Sequence, residues 1–123
     1  MVKNCKFHLK SVEIESISLS SLSLLFHISI DNPNSIDVVI DRLKYEFFIN
    51  SLRVFSGTTA KGIKIPPGGS KEHSTIIDLN YKDLGEALWD AIKRGEAKYS
   101  LKGRAYVDTP FGSFSYPVEI HSP

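Results

Sequence analysis

The sequence predicts a mostly β fold, an antiparallel sandwich of about seven strands with one α-helix inserted before the last hairpin. Three observations predict it. Apolar residues alternate with polar ones at period two in segment after segment. Turn residues separate those segments at roughly even spacing. One stretch alone carries helical periodicity, and it lies late in the chain.

Residues 6–20 alternate with defects. Phe7 and Leu9 stand at odd positions, Val12 and Ile14 at even ones, and Ile17 and Leu19 at odd ones again. A one-residue slip turns every side chain to the opposite face, so each change of parity requires a bulge or a break. The pattern predicts a strand over residues 6–15, a kink near Ser16, and a long strand from about residue 17 to residue 30. In that strand Leu22, Leu24, Phe26, Ile28 and Ile30 share one face, and Ser23, Leu25, His27 and Ser29 share the other. Asp31-Asn32-Pro33-Asn34-Ser35 ends it. Pro33 has no backbone N–H to give a ladder, and the Asx and Ser side chains hydrogen-bond back to nearby backbone.

Ile36, Val38 and Ile40 resume the alternation, and Leu43, Tyr45, Phe47 and Ile49 continue it on odd positions. The parity change across Asp41-Arg42 predicts another bulge. Asn50-Ser51 predicts a hairpin turn, although Ser is a poorer residue there than Gly. A short strand follows over residues 52–56, with Gly57 ending or bending it. Pro66-Pro67-Gly68-Gly69-Ser70 is the strongest punctuation in the chain. Residues 72–79 then read as a strand. Leu84, Leu88 and Ile92 recur every four residues with Ala87, Trp89 and Ala91 beside them, which predicts the helix. Asp83 reads as its N-cap with Glu86 as capping-box partner, and Gly95 as its C′ residue. Ala97, Tyr99, Leu101, Ala105 and Val107 then face one way, opposite Lys98, Ser100, Lys102, Arg104 and Tyr106. Asp108-Thr109-Pro110-Phe111-Gly112 turns the chain, Phe114, Tyr116, Val118 and Ile120 return, and His121-Ser122-Pro123 reads as a tail.

Size and composition fit one domain over residues 1–123 with one core. Hydrophobic residues make up 41% and charged residues 24%, which argues against disorder. A formal charge of +1 points to no polyanionic partner. Cys5 is the only cysteine, so no intrachain disulfide forms, which fits a reducing compartment, and the expected location is cytoplasmic. The first ten residues read as no secretory signal or lipid-attachment site, and no apolar run approaches the ~18 residues of a membrane span.

The chemistry-bearing residues form no catalytic pattern. His8, His27, His73 and His121 lack metal-ligand spacing. Pro67-Gly68-Gly69-Ser70-Lys71 lacks the spacing of a phosphate loop, and Ser113 lacks the second glycine of a nucleophile elbow. Asp31, Asn32, Asn34 and Asp37 are in the wrong register for a calcium loop, because Pro33 takes a ligand position. Asp83, Glu86 and Asp90 fit capping and solubility along a helix. Lys98, Lys102 and Arg104 make a basic strand face with Tyr106 at its end. That face is a candidate interaction surface, against which stands the plain reading of a solvated sheet face. The residues imply no cofactor and no metal, and no nucleic acid is expected.

An ordered set of short motifs carries a resemblance. A long alternating strand ends in Asn32-Pro33-Asn34, and Tyr45 lies in the strand after it. Gly57 follows the short strand around Val54. Ile65-Pro66-Pro67-Gly68 precedes the strand over residues 75–79. The helix ends at Gly95, before Tyr99-Ser100-Leu101-Lys102-Gly103 and Thr109-Pro110-Phe111-Gly112. From about Val12 to Glu119 the chain resembles the folded late embryogenesis abundant proteins (the atypical, group 2 kind), the family carrying the WHy (water stress and hypersensitive response) domain. Ser51 departs from it, standing where that family's Asn-Gly turn has Gly. The resemblance implies an immunoglobulin/fibronectin-III-like sandwich of seven strands plus one helix, and a protein that is not an enzyme. It implies a role in tolerance of drying, cold and related water stress. The expected partners are client proteins or a membrane surface, held by weak and broad contacts. The alternative is a specific interaction module that uses an exposed strand edge, the basic face, or the exposed Phe48 and Phe55. Asn32, Pro33 and Asn34 carry over as a family-signature turn, whose plain reading is structural. Monomer and weak dimer are both left open.

Overall fold

The computed structural model describes residues 2–59 and 61–122. Eight strands and one helix follow in the order β1 (Lys6–Ile17), β2 (Ser21–Asp31), β3 (Val38–Ile49), β4 (Leu52–Thr59), β5 (Ile63–Ile65), β6 (Ser70–Asn80), α1 (Tyr81–Lys93), β7 (Tyr99–Thr109) and β8 (Gly112–His121). Every pairing is antiparallel. One sheet has the order β1-β2-β6. The other has the order β4-β3-β7-β8, with β5 also on β3. The result is the expected β-sandwich with its helix before the last hairpin.

The alternation in the sequence is the alternation of burial. Leu22, Leu24, Phe26, Ile28 and Ile30 on β2 are all essentially inaccessible, as are Phe47 and Ile49 on β3. Phe26 from the small sheet meets Phe47 from the large one edge to face, at 4.8 Å between ring centres and 82° between planes. Tyr99 of β7 stands 6.0 Å from Phe47 and 6.2 Å from Phe26, which completes an aromatic trio between the sheets. Fully burying side chains of this size stabilises the fold by about 1.5–3 kcal/mol each.

The predicted parity breaks are bulges. Register shifts fall between Leu9 and Ser11, between Ile14 and Ser16, and between Ile40 and Arg42. The expected kink near Ser16 is a full reversal: β1 ends at Ile17 and pairs back onto β2. The Ser18 hydroxyl accepts from the backbone N–H of Ser20 and of Ser21, and Ser18 N–H donates to Ser21 O, so the turn is built by a serine side chain. The count is eight rather than about seven because β5, three residues long, pairs with Val38–Ile40 beyond the end of β4.

Helix α1 corrects a second expectation. It begins at Tyr81 behind Asn80, which makes no side-chain capping bond. Asp83 therefore lies inside the first turn. Gly85 breaks the helix with φ 74° and ψ 162°, a conformation open to glycine. Leu84, Leu88, Ala91 and Ile92 are buried as the apolar stripe requires, whereas Ala87 is exposed and Trp89 leans on Tyr81 at 4.8 Å. At the other end Gly95, φ 70°, closes the helix as expected: its N–H donates to Ile92 O, and Glu96 N–H donates to Ala91 O. Of the expected tail, His121 belongs to β8, Ser122 N–H donates to Tyr99 O at 2.8 Å, and Pro123 lies outside the described residues.

Two tests follow from these local geometries. Asn50 and Ser51 both take positive φ, 50° and 71°, as a two-residue hairpin demands. Ser51→Gly removes a left-handed strain of roughly 1–2 kcal/mol and adds back up to about 1 kcal/mol of chain entropy. Chemical denaturation is therefore expected to show a midpoint equal to or above that of the parent, and never below it.

His73 of β6 hydrogen-bonds through Nε2 with Thr59 Oγ1 of β4 at 2.9 Å, bridging the two sheets at one margin. Burial holds its imidazole below the ordinary 6.5, so the fold prefers the neutral ring. This contribution is present above pH 6.5 and is lost as pH falls, because the unfolded chain takes the proton first. Urea unfolding between about pH 7.5 and about pH 5 should show the parent losing stability faster than His73→Gln.

Candidate functional site

The signature turn lies where β2 ends, and it is buried. Asn32 is 1% exposed and Asn34 7%. The Asn32 side-chain N–H2 donates to the carbonyls of Ile36, Ile65 and Pro66 at 2.8, 3.0 and 3.1 Å. Its Oδ1 accepts from the backbone N–H and the side-chain amide of Asn34, both at 3.0 Å. Asn34 in turn takes the N–H of Lys3 on Oδ1 and donates Nδ2 to Lys3 O at 2.9 Å. Backbone bonds from Asn32 N–H to Gly69 O, and from Gly68 N–H to Asn34 O, close the cluster. Two asparagines thus join the end of β2, the end of β5, the Pro66–Gly69 loop and the N-terminal segment. Pro33 stands exposed between them, where its missing N–H costs nothing.

This geometry answers the calcium question. The Asn32 and Asn34 oxygens are occupied by N–H groups, Asp37 pairs with Lys64 at 3.6 Å, and Asp31 holds Ser70 Oγ at 2.5 Å and His8 Nε2 at 3.1 Å. The Ser70 hydroxyl, then His8, keeps the Asp31 carboxyl below its ordinary range despite an opposing effect of burial. Among the described residues no cluster of His, Cys, Asp or Glu is arranged to hold a metal. Cys5 is buried beneath the same end. Its N–H donates to the Tyr116 hydroxyl at 2.9 Å, and burial pushes both the Cys5 thiol and the Tyr116 phenol upward. A thiol held protonated is a poor nucleophile.

The basic face is the outer surface of the large sheet. Lys102 and Arg104 of β7 point outward beside β3, where Lys44 stands directly opposite Arg104 and Glu46 opposite Lys102. Lys102 pairs with Glu119 at 3.7 Å and covers the half-buried Phe48 ring at 5.3 Å. Phe48 is therefore partly covered and not the exposed ring expected, whereas Phe55 is 36% exposed beside Tyr45. Lys98 stands before β7 begins, by the Asn50 turn, and is about 20 Å of strand from Arg104. The sequence missed Arg42 and Lys44 as members of this face. Arg42 lies over the Tyr106 ring at 4.1 Å and Lys44 lies 5.7 Å from it. Their lone signal was a pair of even positions opposite the core residues of β3.

Residues 27–121 match the family described as "Late embryogenesis abundant protein". The chain belongs to that family. No curated protein matches it significantly. Among solved structures, a solution structure of an Arabidopsis thaliana protein shares 18% identity at a TM-score of 0.70, over 95% of this chain and 78% of that one. A crystal structure of an Archaeoglobus fulgidus protein shares 17% at 0.59, over 93% and 94%. A solution structure of a candidate late embryogenesis abundant protein shares 13% at 0.56, over 97% and 69%. At these identities each likeness shows the fold alone. No helix among the described residues is long and apolar enough to cross a membrane.

Asn32→Asp exchanges the donor amide for an acceptor facing three carbonyl oxygens. We expect a loss of about 3 kcal/mol or more against the parent at neutral pH, read by urea unfolding. The new carboxyl gains by holding its proton in the fold, so the deficit should narrow toward about pH 4.

Proposed function

We propose that this chain is a WHy-type, fibronectin-III-like member of its family, forming one domain that protects other macromolecules during water stress without being an enzyme. The observation that carries the reading is family membership over residues 27–121. The commitment of the signature turn supports it: Asn32 and Asn34 spend their polar atoms on backbone. What remains for function is surface. That surface is of mixed charge and also exposes apolar side chains, among them Ile17, Leu19, Leu52 and Ile76, with Phe111 and Phe114 sharing one hollow. A surface of this kind suits weak, broad contact with client proteins or a membrane face in the cytoplasm. Water removal would strengthen such contacts by concentrating both parties.

The test is residual activity of a labile enzyme after drying or freeze–thaw, with this protein at rising molar ratio. An inert globular protein of similar size and charge is the control. Protection well above the control is expected, and protection equal to it would leave only ordinary crowding.

A second reading has its own observation. Among the described residues β4 pairs with β3 on one side only, so its other edge, carrying Val54 and Phe55, offers backbone groups to an incoming strand. On this reading the domain is a specific interaction module working through that edge or the basic face. A saturable partner lost on Phe55→Lys would favour it over broad protection.

A further inference from the structure

On the outer face of the large sheet most cations carry their own acid. Arg42 pairs with Asp41 at 2.6 Å, Arg53 with Glu46 at 3.7 Å, and Lys102 with Glu119 at 3.7 Å. Lys44 and Arg104 have no acidic partner among the described residues, and they stand directly opposite each other in the β3–β7 register. Arg104 has one side-chain bond, from Nη1 to Ser115 Oγ at 3.1 Å, which leaves the rest of its fork unspent. Lys44 lies over a Tyr106 ring that Arg42 already covers. Like charges facing each other across two strands destabilise a sheet, and here the repulsion lies at its centre.

The same two residues border a dimple of about 560 Å³, shared with Lys102, Tyr106, Ser56, Thr58 and Glu46, whose carboxylate is engaged by Arg53. Gly103 lies on its lining and cannot be enlarged, because a Cβ there would collide with the Lys44 carbonyl and the Tyr45 backbone. Two uncompensated cations, one a guanidinium fork and one a point charge, thus adjoin a hollow that also offers hydroxyl donors from β4.

We infer that the Lys44–Arg104 pair is a binding site for a phosphate monoester dianion. The charge matches: such a group carries about −1.5 to −2 near neutral pH, against two unpaired positive charges. The geometry matches as well. The Arg104 fork suits two phosphate oxygens, and Lys44, Ser56 and Thr58 are placed around the remainder. A carboxylate or a phosphodiester brings one negative charge and leaves half the repulsion in place. The inference is independent of whether the domain protects clients.

The test is a ¹⁵N–¹H titration of the intact chain with inorganic phosphate, at ionic strength held constant with chloride. The expected result is saturable shifts centred on Lys44, Ser56, Thr58, Gly103 and Arg104. They should weaken from about pH 7.5 to about pH 5.5, as inorganic phosphate, which takes its second proton near neutrality, passes from dianion to monoanion. Lys44→Gln with Arg104→Gln should raise the dissociation constant about tenfold or more. The melting temperature of that double variant should be no lower than the parent's, because the repulsion is gone, so lost binding cannot be ascribed to unfolding. Vesicles distinguish two sources of the group. Binding to phosphatidic acid above phosphatidylglycerol at equal charge identifies a lipid headgroup, and response to soluble phosphate alone identifies a soluble ligand. Three results would overturn the site: no saturable response, a response that survives in the double variant, or tighter binding per charge of a single-stranded oligonucleotide or an oligoglutamate peptide.

Discussion

One buried side-chain amide holds one end of the sandwich together. Asn32 uses both of its amide hydrogens on three carbonyls and its oxygen on Asn34. The chain cannot supply those bonds from regular structure. β2 and β3 leave their sheets there, and the Pro66–Gly69 loop and the N-terminal segment arrive without a ladder to join. Buried carbonyls without donors cost about 1–3 kcal/mol each, so one asparagine that serves three replaces a piece of sheet. Pro33 fixes the backbone between the two asparagines, and Asn34 extends the network to Lys3. The register of β5 on β3 places Ile65 where its carbonyl meets Asn32.

The rest of the molecule is built around that end. The Phe26, Phe47 and Tyr99 trio fills the middle, and His73 with Thr59 ties the sheets at one margin. At the opposite end the helix covers the core with Leu84, Leu88, Ala91 and Ile92. The surfaces left open to other molecules are the sheet faces and the β4 edge. The face of β3 and β7 differs from the other surfaces in kind. There Lys44 and Arg104 are set directly against each other at the centre of a sheet.

Much of this was legible in the sequence, because period-two burial is a strong constraint. A bulge or a break had to appear wherever apolar parity changed: bulges stand after Leu9, after Ile14 and after Ile40, and the reversal between Ile17 and Ser21 is the break. Asn32, Pro33 and Asn34 announced a turn, yet nothing local could say that Asn32 reaches Ile65 and Pro66, more than thirty positions away. β5 was illegible for the same reason: three residues carry no period, and their pairing with β3 is a long-range event. Ser18 makes a reversal where only a kink was read, since a hydroxyl that caps two N–H groups leaves no mark on hydrophobic spacing. Asp83 looked like a helix cap because the sequence did not reveal that Gly85 would leave helical geometry after one turn. Of the basic face, Lys102 and Arg104 were visible as alternating positions. Lys44 became their partner only through the register of β3 on β7.

Native-state amide hydrogen exchange tests the central claim most directly. The N–H groups of Asn32, Asn34 and Gly68 belong to the asparagine network, although they lie outside every strand or at its very end. If that network holds the end of the sandwich shut, these amides exchange only by global opening, at free energies equal to those of Phe26 and Phe47 in the core. Exchange as fast as at the exposed turn residues Lys61 and Gly62 would show that the turn opens locally, and would contradict the role assigned to Asn32.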